Sequence, residues 1–146
     1  MASRTTILCA EDDPDDQALL RDAFAEVEQS GDLRFVEDGE ELLDYLRGKG
    51  RFDAGGSAPS PALVIVDLNM PRVNGREAIV EIRSDEALRS LPIVVMTTSS
   101  APDDIRMAYA AGANSYIVKP VSFHDLVLTL IELQSYWFRL VRLPEA

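Results

Sequence analysis

The residues that could do chemistry in this 146-residue chain come in four short groups, each behind an apolar run. Glu11, Asp12 and Asp13 follow the first run, and Asp67 and Asn69 follow Leu63-Val64-Ile65-Val66. Thr97 heads a Thr-Thr-Ser-Ser group, and Lys119 stands before Pro120. Taken singly, each has a plain reading. Asp, Asn, Pro and Gly after a strand are ordinary turn residues. Acids after a strand cap and support the next helix, a role that suits Asp13 well. Thr97 could be a strand-end hydroxyl and Lys119 a solvated loop charge. Taken together they describe a cation- and phosphate-handling site. Two carboxylates about 4 Å apart repel by roughly 4 kcal/mol at an effective dielectric near 20, so a fold that gathers them needs cations. Lys119 supplies one positive charge and a divalent ion would supply two. Oxygen donors without a His or Cys cluster favour Mg2+ over zinc or copper.

Gathering these groups requires a particular architecture. Strand patterns fall at 5–10, 33–37, 62–66, 92–97 and 115–118, each followed by a helical pattern. The first helix runs from Pro14 to Val27 with Asp13 as N-cap and an apolar face of Leu19, Leu20, Ala23, Phe24 and Val27. Others start after Asp38, at Gly75 and near Pro102, the last of these ending at Gly112. A fifth runs from Ser122 to Leu143. Strands alternating with helices imply an α/β doubly wound, five-stranded parallel sheet with helices on both faces. In such a sheet every strand's C-terminal end lies on one edge, where ligands bind. The Gly- and Pro-rich stretch 48–61 reads as a mobile loop, residues 1–4 as a tail, and the whole chain as one domain.

Composition excludes several classes. Asp and Glu outnumber Lys and Arg by 25 to 14, a formal net charge of -11, which disfavours nucleic acid. No apolar segment is long enough to span a bilayer and no basic-then-apolar leader is visible. The single cysteine, Cys9, lies in a strand pattern and reads as a small core residue. These features point to a cytoplasmic protein with no nucleic-acid or membrane partner. The one histidine, His124, falls at the start of the last helix, away from the acidic edge, and reads as a surface or capping residue.

At this point "CAEDD", "VDLNMPRVNG", "VVMTTSS" and "YIVKP", in that order, resemble the receiver domains of bacterial two-component signalling from about Thr5 to Leu130. The resemblance implies the flavodoxin-like strand order 2-1-3-4-5. It also implies a stand-alone response regulator, a phosphoacceptor signalling protein rather than an enzyme, that assists its own Mg2+-dependent phosphotransfer and autodephosphorylation. By the same resemblance, a sensor histidine kinase donates a phosphoryl group to Asp67. Asp12 and Asp67 bind Mg2+ directly, Glu11 acts through water, and Asn69 offers its backbone carbonyl. Thr97 is the switch hydroxyl, Lys119 the phosphate-binding lysine in a cis peptide with Pro120, and Tyr116 the switch aromatic. The surface of the fourth helix, fifth strand and fifth helix carries the signal. The C-terminal "QSYWFRLVRLP", the loop 48–61 and "NGREA" resemble a narrower group, single-domain regulators that partner phytochrome-type kinases.

The last helix carries more apolar surface than one core needs. Phe123, Leu126, Val127, Leu130, Ile131, Leu133, Trp137, Phe138, Leu140 and Val141 cover about half its circumference, against a stripe of roughly 100° for simple packing. Residues 131–146 thus read as a helical extension that pairs two chains in a homodimer; the alternative is a tail folded back on its own domain. Two rival functions share the fold. A flavodoxin-like cofactor binder would need a phosphate loop where Glu11, Asp12 and Asp13 stand. A Mg2+-dependent phosphohydrolase would need a second aspartate where Asn69 follows Asp67-Leu68. A receiver-like scaffold that is never phosphorylated fits poorly with Asp67, Thr97 and Lys119 all present.

Overall fold

The computed structural model describes residues 5–27, 31–52 and 58–144. In chain order these form β1 (Thr6–Ala10), α1 (Pro14–Ala25), β2 (Asp32–Val36), α2 (Gly39–Arg47), β3 (Leu63–Val66), α3 (Gly75–Ser84), β4 (Ile93–Thr97), α4 (Pro102–Ala111), β5 (Ser115–Val118) and α5 (Phe123–Ser135). A 3-10 turn, Gly50–Phe52, follows α2, and a π-helical turn, Tyr136–Leu140, continues α5. The five strands pair in parallel, as their alternation with helices implies, in the order β2-β1-β3-β4-β5 that the family resemblance implies. The tail 1–4, the loop centre 53–57 and the last two residues lie outside the described residues.

Alternation along the central strands sorts the core into two layers, because successive strand side chains point to opposite faces. Ile7 and Cys9 of β1, Leu63 and Ile65 of β3, and Val94 and Met96 of β4 meet Leu20, Ala23 and Phe24 of α1 and Leu126, Leu130 and Leu133 of α5. On the other face Leu8, Ala10, Val64, Val66, Ile93 and Val95 meet Leu42 of α2, Ala78, Ile79 and Ile82 of α3, and Ala108 of α4. Central strands apolar on both faces are what a sheet covered on both sides demands.

Helix starts are set by local chemistry. Asp13 accepts the Asp15 N–H with Pro14 at the first helical position, and Asp38 accepts the Glu41 N–H. Asn74 and Glu77 form a capping box, and Ser122 accepts the Asp125 N–H. Gly48, at φ 64°, ends α2 in the left-handed region that glycine enters without a Cβ penalty.

Three expectations need correction. Leu19 is 48% exposed, so α1, which ends at Ala25 rather than Val27, packs through Leu20, Ala23 and Phe24, with Val27 joining the same layer just past its end. The last helix does not reach Leu143. Its α-helical hydrogen bonds stop at Ser135, a wider turn carries it to Leu140, and Val141 is extended. That turn brings Trp137 and Phe138 against the α1/α5 core layer, and Pro144 disfavours helical backbone at Leu143. No cis peptide occurs among the described residues, so Lys119–Pro120 is trans, the form favoured by about 0.5–1 kcal/mol at X–Pro bonds. No helix among the described residues is long and apolar enough to cross a membrane.

Candidate functional site

The C-terminal edge of the sheet brings the four chemical groups together. The ladder continues one residue beyond the strands: Glu11 N–H donates to Val36 O at 2.9 Å, Asp67 N–H to Ala10 O at 3.1 Å, and Lys119 N–H to Thr97 O at 2.7 Å. Glu11, Asp67 and Lys119 are therefore each the first residue to leave their strands, held by one last sheet hydrogen bond, while Thr97 is the last residue of β4. The chain then turns back closely after Asp67. Gly75 N–H donates to Leu68 O at 3.1 Å, and a Cβ on Gly75 would collide with the Asp67 carbonyl and lie 2.9 Å from Leu68 Cα. This is the physical reason for glycine at the start of α3.

Lys119 is the hub. Its Nζ donates to Glu11 Oε1 at 2.5 Å, to Asp67 Oδ2 at 2.8 Å and to Asp16 Oδ2 at 3.1 Å. The remaining oxygens of the buried acids are also engaged. Glu11 Oε2 accepts the Asp13 N–H at 3.1 Å, and Asp67 Oδ1 accepts the Asn69 N–H at 3.0 Å. Burial pushes the Glu11 carboxyl up to about 7 despite the opposing pull of Lys119 and the Asp13 N–H. Burial alone would lower Lys119; its hydrogen bonds to Asp67 and Glu11 outweigh that and hold the ammonium above the usual lysine range. The lysine therefore stays charged.

Thr97 is fully buried, and its Oγ1 has no hydrogen-bond partner among the described residues. A buried hydroxyl without a partner costs about 1–3 kcal/mol, and this one lies on β4, between the strands that lead into Asp67 and Lys119. Tyr116 is half-buried and donates its OH to Ser99 O at 2.9 Å, two residues past Thr97. Burial raises its phenol, and the Ser99 hydrogen bond opposes that.

Asp12 is exposed and takes part in no hydrogen bond or ion pair among the described residues. There, too, no group of three or more His, Cys, Asp or Glu stands at metal-holding spacing, and Glu11 and Asp67 are both paired with Lys119. In its chemistry the donor set still fits a hard divalent ion. Asp12, Asp67 and the Asn69 carbonyl are all oxygen ligands, and the acids outnumber the single lysine.

Several participants escape sequence reasoning. Asp16, which looks like support for the α1 dipole, is a partner of Lys119. Gln17 Nε2 donates to Glu11 O at 2.6 Å, and Ser99 Oγ donates to Asp104 at 2.5 Å. For Asp16, Gln17 and Asp104 the only sequence signal is position in the first turn of a helix that starts at the sheet edge, while Ser99 lies in the loop before α4. His124 is exposed on α5, and Cys9 is buried, with burial raising its thiol above the reactive range.

Comparison with known proteins agrees with this geometry. The family model of the response regulator receiver domain matches residues 7–131. A probable methanogenesis regulatory protein, FilR2 of Methanothrix harundinacea, is 40% identical over 138 residues, covering 94% of this chain and 86% of that protein. The response regulator RPA3017 of red light signalling in R. palustris superposes with a TM-score of 0.92 at 42% identity, covering 97% of this chain and 99% of that one. The phosphorylated cyanobacterial phytochrome response regulator RcpA superposes at 0.88 with 33% identity, covering 99% and 100%. Members of this family are phosphorylated on aspartate by sensor histidine kinases and take Mg2+ or Mn2+ at their acidic pocket. With the match spanning so much of its length and the sheet order in agreement, the chain belongs to the response regulator receiver domain family.

Proposed function

We propose that this response regulator takes its phosphoryl group on Asp67, from the phosphohistidine of a sensor kinase or from a small phosphodonor such as acetyl phosphate. The observation that carries the reading is the charged Lys119 ammonium, 2.8 Å from Asp67 Oδ2 at the strand edge that also buries the unpartnered Thr97 hydroxyl. Phosphoryl transfer asks little covalent chemistry of a protein; it rewards positioning and charge neutralisation. Asp67 supplies the attacking oxygen, fixed by the Asn69 N–H on one side and Lys119 on the other. Lys119 meets the negative charge that arrives, and Thr97 donates to one phosphoryl oxygen. Asp12, the Asp67 carboxylate and the Asn69 carbonyl are the groups to hold Mg2+, with Glu11 acting through water. When bound, the ion offsets the charge on the phosphoryl oxygens.

Drawing Thr97 toward the phosphoryl group rearranges the loop after β4, which Tyr116 pins through Ser99. That shift carries the signal to the α4-β5-α5 surface, with Tyr116 as the moving aromatic. The red-light and phytochrome relatives support a phytochrome-type photoreceptor kinase as donor, and the apolar α5 surface supports a homodimer. After treatment with acetyl phosphate and Mg2+, mass spectrometry should find one phosphate, on Asp67. Full labelling of Asp67→Asn, or of the wild type in chelator, contradicts the reading.

A further inference from the structure

We propose that Asp16 is a releasable positioning residue: it holds the third ammonium N–H of Lys119 in the unphosphorylated chain and yields it to a phosphoryl oxygen once Asp67 is phosphorylated. This rests on the assignment of Asp67 as acceptor. A lysine ammonium has three donors and no more. Here all three point at carboxylates, in Glu11, Asp67 and Asp16, so Lys119 has no free donor for an incoming phosphoryl group.

One contact must open, and the three are not equivalent. The side chains of Glu11 and Asp67 are 2% and 10% exposed, whereas that of Asp16 is 35% exposed, and its contact is the longest at 3.1 Å. Stripping the lysine from a buried carboxylate strands a charge away from water. Asp16 is rehydrated when released, so its ion pair is the weak one. Asp16 also adds a negative charge beside the path of an anionic donor.

With acetyl phosphate as donor, an Asp67 carboxylate oxygen forms the new O–P bond while the acyl-oxygen–phosphorus bond breaks. The electron pair leaves on acetate, and no oxidant or net proton is required. Lys119 then exchanges Asp16 for a phosphoryl oxygen.

The test compares wild type with Asp16→Asn, Asp16→Ala and Asp16→Glu. Labelling rates with acetyl phosphate and Mg2+ are read alongside the affinity for beryllofluoride, a phosphoryl stand-in that needs no transfer step. Asp16→Asn and Asp16→Ala should label faster and bind beryllofluoride more tightly, each by a factor of about two to five, the scale of a partly exposed ion pair. Asp16→Glu should stay near wild type. Added salt should speed the wild type more than Asp16→Asn, because screening substitutes for the lost charge. A purely structural role would leave the near-isosteric Asp16→Asn unchanged in rate, affinity and salt dependence, and that result overturns the proposal. Slower labelling in both neutral variants overturns it too, since Asp16 would then be holding Lys119 in its productive place. A wild type that does not label at Asp67 defeats the acceptor assignment itself.

Discussion

Residue by residue, the site departs from what stability alone would select. Thr97 is wholly buried with a hydroxyl that bonds to nothing among the described residues, and three carboxylates share one lysine. Valine matches threonine in shape without the hydroxyl, and removing an unsatisfied buried polar group is stabilising. Thr97→Val should therefore raise the unfolding free energy in urea, without Mg2+, by about 1 kcal/mol. The same variant should lose the conformational response to phosphorylation while Asp67 still labels. A less stable Thr97→Val would mean that the hydroxyl has a partner in solution. Much at this scale was legible from residue types: Glu11, Asp67, Thr97 and Lys119 were each placed by the rule that strands end in their chemistry. Asp16 was not, because its role depends on where a lysine 103 positions away lets its ammonium fall. Sequence spacing along a helix cannot report that.

At the scale of elements, the tight approach of α3 to the end of β3 aims Asp67. Gly75 begins α3 against the Asp67 carbonyl, with its N–H on Leu68 O. A methyl group there has no room unless the whole loop 67–74 backs away. Gly75→Ala should cost roughly 1–3 kcal/mol in urea unfolding, the scale of overpacking. Labelling of Asp67 should also slow, because Asn69 and Lys119 would no longer flank the carboxylate at their present distances. Unchanged stability would show that the loop yields freely. Strand and helix positions were largely legible because both periodicities and caps were strong: Asp13-Pro14, Asp38, Asn74-Gly75 and Ser122 all start helices. The end of α5 was not. An apolar pattern continues past Ser135, but packing Trp137 and Phe138 onto the α1/α5 layer wins over continued α-helical hydrogen bonding. The pattern states which residues want burial, not which backbone delivers them.

For the whole molecule, the C-terminal segment divides its apolar residues between two fates. Leu126, Leu130 and Leu133 are buried in the chain's own core, and Trp137 and Phe138 rest against it. Part of the surplus is thus absorbed by folding back, which leaves Leu128, Ile131, Tyr136 and Leu140 in the open, the last 74% exposed. Val118 and Val121, at the end of the edge strand β5 and just beyond it, are exposed as well. Leu128 and Ile131 stand three residues apart on one helix face, the spacing at which neighbours form a continuous surface. Contiguous apolar surface of this kind marks an interface, and twofold pairing is the commonest way to cover it. Light scattering at micromolar concentration should give the mass of two chains for the wild type. The double variant Ile131→Lys, Leu140→Ser should give the mass of one, with unchanged urea stability per chain because neither side chain serves the core. Removing everything after Ser135 is a poorer test, since it would also strip Trp137 and Phe138 from the chain's own packing. A monomeric wild type would remove the dimer from the account, and a double variant that stays paired would move the interface to another face.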